Sequence, residues 1–315
     1  MSIFFSVVIP LYNKEKYIIK TLDSVLCQTH RGFEILIIDD GSTDRSVQLI
    51  DEYTDKRIRV ISQKNGGVSA ARNTGITNSQ YDFVALLDAD DWWDSEYLEN
   101  MKNLILKYPT ASLYASEYIR VFKGRMMPSM SVLENGADHD LINPLVYGTK
   151  NGVLPLHTSS VVIRKSILKR AGMFDNRISY FEDYDLFLRI ISFGMLAYGK
   201  KGGAYYNIDV NPEDKLTGKL PSMERHFISY TDKMEPFFKD DKLLKHFVDR
   251  FTITSLILYH RSGSFREKVR RISASIDPNS YRLKDKFLLS LPSFIANAIV
   301  EMKIKINEIF KKDLD

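Results

Sequence analysis

The sequence predicts an α/β protein: a Rossmann-like, mostly parallel sheet flanked by helices, followed by a helical C-terminal region. Three observations predict it. Between residues 4 and 107, short apolar runs alternate four times with amphipathic helical patterns, the signature of a parallel sheet with helices on both faces. The runs are apolar nearly throughout, as in strands covered on both sides. From about Pro221 the alternation stops and long helical patterns replace it.

Phe4 to Leu11 is a β-branched apolar run that ends near Pro10, because proline cannot donate to a ladder. Tyr17 to Gln28 carries Tyr17, Ile18, Leu22, Val25 and Leu26 on one helical face. Cys27 falls in that pattern and is expected as a small core residue. Phe33 to Ile38 is the second strand, followed by Asp39-Asp40-Gly41-Ser42 and a helix to about Tyr53, with Ser42 or Thr43 as its cap. Ile58 to Ile61 is the third strand; Gly66-Gly67 turns the chain into a helix reaching about Thr77. Phe83 to Leu87 is the fourth strand, and a helix runs to about Lys107.

The middle is less regular. Leu113 to Val121 and Ser159 to Ile163 read as strands around a loop-rich stretch with Pro128, Asn135-Gly136, Pro144 and Pro155. A helix opens at Phe181-Glu182-Asp183 with Leu186, Phe187 and Ile190 on its apolar face. Helices are expected over Met223–Phe238, Leu243–Ser262 and Phe287–Phe310. The expected domains are residues 1–220, with halves 1–110 and 111–220, and residues 221–315.

Composition narrows the class. The hydrophobic fraction of 44% and charged fraction of 27% belong to a globular chain. A net charge of +4 is too small to argue for nucleic acid. A single cysteine excludes an intrachain disulfide or a cysteine zinc site. The first residues lack a basic stretch and a small-residue cleavage site, and no run is long enough to span a bilayer. A cytoplasmic protein is expected. Arg261 to Lys286 holds eight Lys/Arg against three Asp/Glu. Beyond it, Phe287, Leu288, Leu291, Phe294, Ile295, Ile299, Ile304 and Ile309 interleave with Lys303, Lys305, Lys311 and Lys312. That pattern suits the surface of an anionic membrane. It equally suits a helix packed on the main domain with its lysines in water.

The chemistry concentrates at strand ends. Asp88, Asp90 and Asp91 follow the fourth strand and Asp39-Asp40 the second. In a parallel sheet those ends share an edge, where open α/β sheets bind ligands. Converging carboxylates offer hard oxygen donors for Mg²⁺ or Mn²⁺. Taken alone, Asp88 to Asp91 also reads as the acidic start of a helix capped by Asp94 or Ser95. Glu182 and Asp183 bring a third acidic group, and Arg72 a partner for phosphate. Of Trp92 and Trp93, one is expected to offer a stacking face and one to pack in the core.

Five motifs occur together: Ser6-Val-Val-Ile-Pro-Leu-Tyr-Asn13, Asp39-Asp-Gly-Ser-Thr-Asp44, Asn65-Gly-Gly-Val-Ser-Ala-Ala-Arg-Asn73, Asp88-Ala-Asp-Asp91 and Glu182-Asp183. Their order and spacing closely resemble the family 2 inverting glycosyltransferases of the GT-A fold, over roughly the first 200 residues. The bacterial enzymes of O-antigen and capsule synthesis are the most similar in flavour. The resemblance implies a nucleoside-diphosphate sugar donor, of the UDP series, and a saccharide or polyprenyl-linked saccharide acceptor. It implies Mn²⁺ or Mg²⁺ as cofactor. Pro10 and Tyr12 would line the base pocket, Asp40 would accept from the base, and Asn65, Gly67 and Arg72 would lie near base or diphosphate. Asp88 would contact ribose or sugar, Asp90 would ligate the metal, and Asp91 would ligate through water or orient Asp90. Asp183 would be the general base, ionised with an ordinary carboxylate pKa. Many relatives carry a histidine after the next strand that completes the metal shell; Ala204 to Asn211 here has none. A sugar-phosphate nucleotidyltransferase would show a glycine-rich basic loop after the first strand, unlike Tyr12-Asn-Lys-Glu15. A non-catalytic nucleotide- or saccharide-binding module would not need every candidate acid.

Overall fold

The computed structural model describes residues 2–129, 132–133, 137–210, 221–238 and 241–312, with side chains described as far as Met302. The expected turn at Asn135-Gly136 and the side chains from Lys303 onward lie outside the described residues. The chain divides into two compact units, Met1–Gly148 with Leu154–Phe227, and Thr149–Val153 with Ile228–Asp315.

In the first unit, strands β1 (Phe5–Leu11), β2 (Phe33–Asp39), β3 (Ile58–Ser62) and β4 (Phe83–Leu86) alternate with helices α1 (Ile18–Leu26), α2 (Ser46–Ile50) and α3 (Val68–Asn78). There follow β5 (Trp92–Trp93), α4 (Tyr97–Lys107), β6 (Leu113–Phe122), β7 (Arg125–Pro128), β8 (His139–Ile142), α5 (Pro144–Asn151), β9 (Val161–Arg164), α6 (Lys165–Arg170), α7 (Glu182–Ile191) and β10 (Leu196–Asn207). Among the described residues these strands make one sheet, in the order β3-β2-β1-β4-β9-β6-β10-β5, with β7 beside β6 and β8 beside β10. The first four strands are mutually parallel; β9 runs antiparallel between β4 and β6.

Register does the functional positioning. Leu11 lies opposite Asp39, and Val8 opposite Leu86. The chain therefore leaves β1, β2 and β4 on one edge, at Tyr12, Asp40 and Asp88.

Strand side chains alternate between faces. Phe5, Val7, Ile9 and Leu11 join Ile18, Leu22 and Val25 of α1 and Tyr97, Leu98 and Met101 of α4 in one core. Val8 faces the other way, onto α3, where a side chain built on Gly75 would run into its Cγ1 methyl. Glycine costs about 1 kcal/mol of helix propensity here; it is the residue that lets α3 approach the sheet. Gly75→Val should destabilise the protein by about 2 kcal/mol or more through overpacking, read as a fall in urea midpoint.

Local differences from the sequence reading have identifiable causes. Cys27 is exposed; it caps the C-terminus of α1, its amide bonding to Asp23 O, at the point where the helical face turns out of the core. Trp92 and Trp93 form a two-residue strand against Tyr205 and Ala204, so the helix begins after Glu96 and neither Asp94 nor Ser95 caps it. Arg45 precedes α2, and Asp44 Oδ1 accepts from Ser46 N. Met223 to Phe238 is not one helix: 3₁₀ turns over Met223–Arg225 and Phe227–Met234, with Tyr230 at φ −131°, lead into the short α8 (Glu235–Phe238). Pro236 supplies no N–H to continue a preceding helix.

The second unit contains α9 (Lys242–Arg261), α10 (Arg266–Ser275), α11 (Leu283–Ser290) and α12 (Ser293–Lys312). The helix expected from Phe287 is thus broken at Leu291-Pro292, since proline is tolerated only in a first turn. Among the described residues no helix is long and apolar enough to cross a membrane.

Candidate active site

A cavity of about 560 Å³ opens at the carboxyl edge of β1, β2 and β4. Pro10, Tyr12, Asp40, Asn65, Gly67, Arg72, Asp88, Asp90 and Asp183 all line it. Asp91 does not: it is buried behind the cavity.

Asp40 anchors the glycine turn at one side of the cavity. Its Oδ1 accepts from Gln63 Nε2 at 2.7 Å and Gly66 N at 2.9 Å, and its Oδ2 from Gly67 N at 2.7 Å. Gly67 holds φ 86° to aim that amide, a conformation closed to most side chains. The Gly66-Gly67 turn is thereby fastened to the end of β2. Asn13, at φ 51°, does the same for the neighbouring loop, its Oδ1 accepting from Thr43 N at 2.8 Å. Tyr12 keeps an exposed ring at the rim. Asp40→Asn replaces one of these acceptors with a donor facing an N–H. It should loosen the glycine turn and destabilise the fold by about 1–3 kcal/mol, read as a fall in urea midpoint.

Arg72 is buried and spans two acids. Nη2 donates to Asp88 Oδ1 at 2.7 Å and Nη1 to Glu182 Oε1 at 2.8 Å. The guanidinium expected near a phosphate is thus engaged with two carboxylates, tying α3 to β4 and α7. Burial acts to raise Asp88, and Arg72, with His157 and Lys14 beside it, together hold the carboxyl below the usual range.

Asp90 Oδ2 accepts from Lys14 Nζ at 2.7 Å. Burial pushes its pKa up, Lys14 pulls it down and Asp88 pushes it up again. Asp91 Oδ2 accepts from Ser159 Oγ at 2.5 Å, and Oδ1 from Asn207 N at 2.8 Å. Burial, then Asp90 and Asp88, hold Asp91 well above the usual carboxylate range. Asp91 pins β10 and the turn before β9 to the acidic loop.

Among the described residues no three His, Cys, Asp or Glu side chains are grouped to hold a metal ion. The donor set present is a hard carboxylate, Asp90, crowded by a second, Asp88. That fits Mg²⁺-type sites, which take one or two carboxylates and fill the remaining positions with substrate phosphate and water.

Asp183 is the second residue of α7, which opens immediately after Phe181 at φ 62°. A bulky residue in the left-handed region is costly and such strain gathers at functional sites. Asp183 Oδ1 accepts from Tyr184 N at 2.8 Å and Oδ2 weakly from Thr158 Oγ1 at 3.4 Å. Burial, then the neighbouring Glu182 carboxylate, push its pKa up to about 7. The sequence reading assumed an ordinary value; desolvation in the cavity makes the difference.

His157 also lines the cavity, its ring 4.1 Å from that of Tyr206. Burial lowers its pKa to about 4, so it is neutral near pH 7, with Nδ1 accepting from Ser159 N at 3.2 Å. Trp93 is the core tryptophan, stacked on Tyr97. Trp92 lies between Tyr205 and the ammonium of Lys20 and does not line the cavity. Sequence reasoning missed Lys14, Thr158 and Ser159. Lys14 carried a signal, since it follows Tyr12 at the same sheet edge.

The glycosyl transferase family 2 model matches residues 6–172, more than half of the sequence. The chain belongs to this family. The family 2 chain is 43% identical over 105 residues to glycosyltransferase GlyA of Streptococcus pneumoniae serotype 4, a match covering 33% of this chain and 15% of GlyA. It is 29% identical over 196 residues to an uncharacterized glycosyltransferase of Rickettsia typhi, covering 59% of each. It thus spans less than two thirds of these relatives. S. aureus TarS 1–349 in complex with UDP superposes with a TM-score of 0.62 at 22% identity, covering 93% of this chain and 80% of that one. The same TarS segment with UDP-GlcNAc gives 0.61 at 21% identity, covering 85% and 76%. These solved structures establish the fold, a GT-A sheet with a helical C-terminal region.

Proposed function

We propose that this protein is an inverting glycosyltransferase. It transfers a sugar from a nucleoside-diphosphate sugar, in the UDP series, to a saccharide or lipid-linked saccharide acceptor. We assign it to cell-surface polysaccharide synthesis at the inner face of the cytoplasmic membrane. The observation that carries the reading is that Asp40, Asp88, Asp90 and Asp183, from three separate segments of the chain, line one cavity. The UDP and UDP-GlcNAc complexes of TarS support the choice of donor.

The residues divide the work. Tyr12 offers an exposed ring to the base, and the Asp40-fastened glycine turn shapes the nucleotide side. Asp90 would hold a divalent ion together with the donor's diphosphate, and that ion would stabilise the charge of the leaving nucleotide. Lys14 neutralises Asp90 in the meantime and adds a second cation for the phosphates. Asp183 takes the proton of the acceptor hydroxyl as that oxygen attacks the anomeric carbon. A leaving nucleoside diphosphate needs no protonation, so a second carboxyl acid is not required, unlike glycoside hydrolysis.

The test is a panel of nucleotide sugars with Mn²⁺, read as nucleotide diphosphate released. One UDP-sugar should turn over, and chelation with EDTA should stop it. Pyrophosphate release from a nucleoside triphosphate would instead identify a nucleotidyltransferase. Donor binding without release, with acceptors supplied, would identify a binding module.

A further inference from the structure

We infer that α11 and α12 form a docking face for an anionic lipid bilayer. The sides of these helices that pack within the second unit carry buried Asp285, whose Oδ2 accepts from Arg250 Nη1 at 2.6 Å, buried Ala296, and Asn297, whose Oδ1 accepts from Arg261 Nη2 at 3.0 Å, with Leu288, Leu289 and Val300 half-buried beside them. A second set of large apolar side chains points outward. Leu283 is 88% exposed and Phe287, one turn on, 55%; Phe294 is 73% and Met302 63% exposed. Ile295 and Ile299 are exposed on the same stretch of α12, at the i, i+4 spacing that leads to Met302. Soluble proteins rarely leave so much apolar surface uncovered without a partner.

Charge selects the partner. Among the described residues, the exposed cations from α10 to α12 are Arg266, Arg270, Arg271, Arg282, Lys284 and Lys286, six against the three exposed acids Glu267, Asp277 and Glu301. Arg282, Lys284 and Lys286 flank the apolar pair Leu283 and Phe287. Aromatic and aliphatic side chains set among arginines and lysines are the chemistry of a helix lying in the headgroup region of an anionic leaflet. Among the described residues, neither helix is long and apolar enough to cross a bilayer. Such a face would hold the enzyme where a lipid-linked acceptor resides. Its test uses no transfer reaction, so it stands or falls apart from the proposed activity.

The experiment is flotation of the full chain with phosphatidylcholine vesicles, with and without phosphatidylglycerol. The protein should float with the anionic vesicles and much less with neutral ones. Raising salt to about 1 M, where the screening length falls to about 3 Å, should release most of it. The combined variant Leu283→Asp, Phe287→Asp, Phe294→Asp and Met302→Asp should lower the floating fraction at least about tenfold. Its melting temperature should stay that of the parent, since the replaced side chains are exposed. Arg266→Glu with Arg270→Glu and Arg271→Glu should remove the preference for phosphatidylglycerol. A parent that stays with the unbound fraction overturns the proposal, and so does an aspartate variant that floats as well as the parent. A parent that does not float but is dimeric by light scattering, with a monomeric aspartate variant, assigns the face to a second copy and also overturns it.

Discussion

Asp183→Asn should lower the rate of transfer to an acceptor about 10²- to 10⁴-fold, the usual worth of a positioned general base. Affinity for the nucleotide, measured by calorimetry, should be nearly unchanged, because no contact on the nucleotide side depends on Asp183. The same carboxyl sets the pH dependence. Burial and Glu182 push it up to about 7, so it is protonated and idle in mild acid. Below pH 7, kcat/KM for the acceptor should rise about tenfold per pH unit, and it should level off near pH 8. The charged groups around it are Glu182, Arg72 and Asp88. Glu182→Gln, which removes one raising charge, should move the inflection to lower pH. A profile flat from pH 5.5 to 8 would contradict the assignment.

The shift has a cost in stability. A carboxyl raised above its unfolded value of about 3.9 binds its proton more tightly in the folded state. Its contribution is therefore fully present below about pH 4 and is lost as the pH rises through about 7. At pH 8 the native protein carries an ionised, poorly solvated Asp183. Asp183→Asn, neutral at every pH, should melt at a higher temperature than the parent at pH 8, and the gap should close toward pH 5. An inactive variant that is more stable is the signature of a site strained for its chemistry.

The sheet edge explains why much of this cavity was legible in the sequence. Strand ends of a parallel sheet must share an edge, so Tyr12, Asp40 and Asp88 were bound to approach one another once Phe5–Leu11, Phe33–Asp39 and Phe83–Leu86 were recognised as neighbouring strands. Residue partners were not legible, because they depend on tertiary distances that no local pattern encodes. Arg72 follows a glycine turn and reads as a phosphate ligand; its guanidinium is held by Asp88 and by Glu182, which lies 110 residues further on. Asp91 reads as a companion of Asp90, yet its oxygens are taken by Ser159 and Asn207, 68 and 116 residues away. Asp183 could be placed by spacing, but its proton affinity comes from burial, which needs the assembled cavity. The C-terminal helices failed differently. Hydrophobic periodicity found an amphipathic pattern from Phe287 to Phe310, but periodicity does not say which side faces inward, and it read through the break at Pro292.

Arg72→Met should give the largest loss of stability. It removes the cation that bridges Asp88 and Glu182 and leaves the two carboxylates, 26% and 13% exposed, without it. Breaking a buried pair in this way costs about 3–5 kcal/mol. For a domain of this size each kcal/mol lowers Tm by about 2–4 °C, so the expected fall is on the order of 6–20 °C at pH 7. Arg72→Lys should fall between parent and Met variant. A lysine ammonium is a point charge that cannot serve both acids through separate planar donors, as the two Nη atoms do. The loss should shrink in acid. Arg72 holds Asp88 below the usual range, a stabilisation present above about pH 4 and lost as the pH falls through the folded-state value. In the Met variant burial of Asp88 is no longer opposed by Arg72, so protonation by pH 4 relieves the variant and not the parent, and the two should melt closer together at pH 4 than at pH 7. Equal gaps at both would show that lost packing against Phe174, which lies 5.1 Å from the guanidinium carbon, outweighs lost charge. Activity should fall further than stability accounts for. Arg72 fixes Glu182, the residue before the proposed base, so at a temperature where the Met variant is still folded kcat should drop while the inflection in the pH profile moves. A purely structural role would lower the folded fraction without moving that inflection.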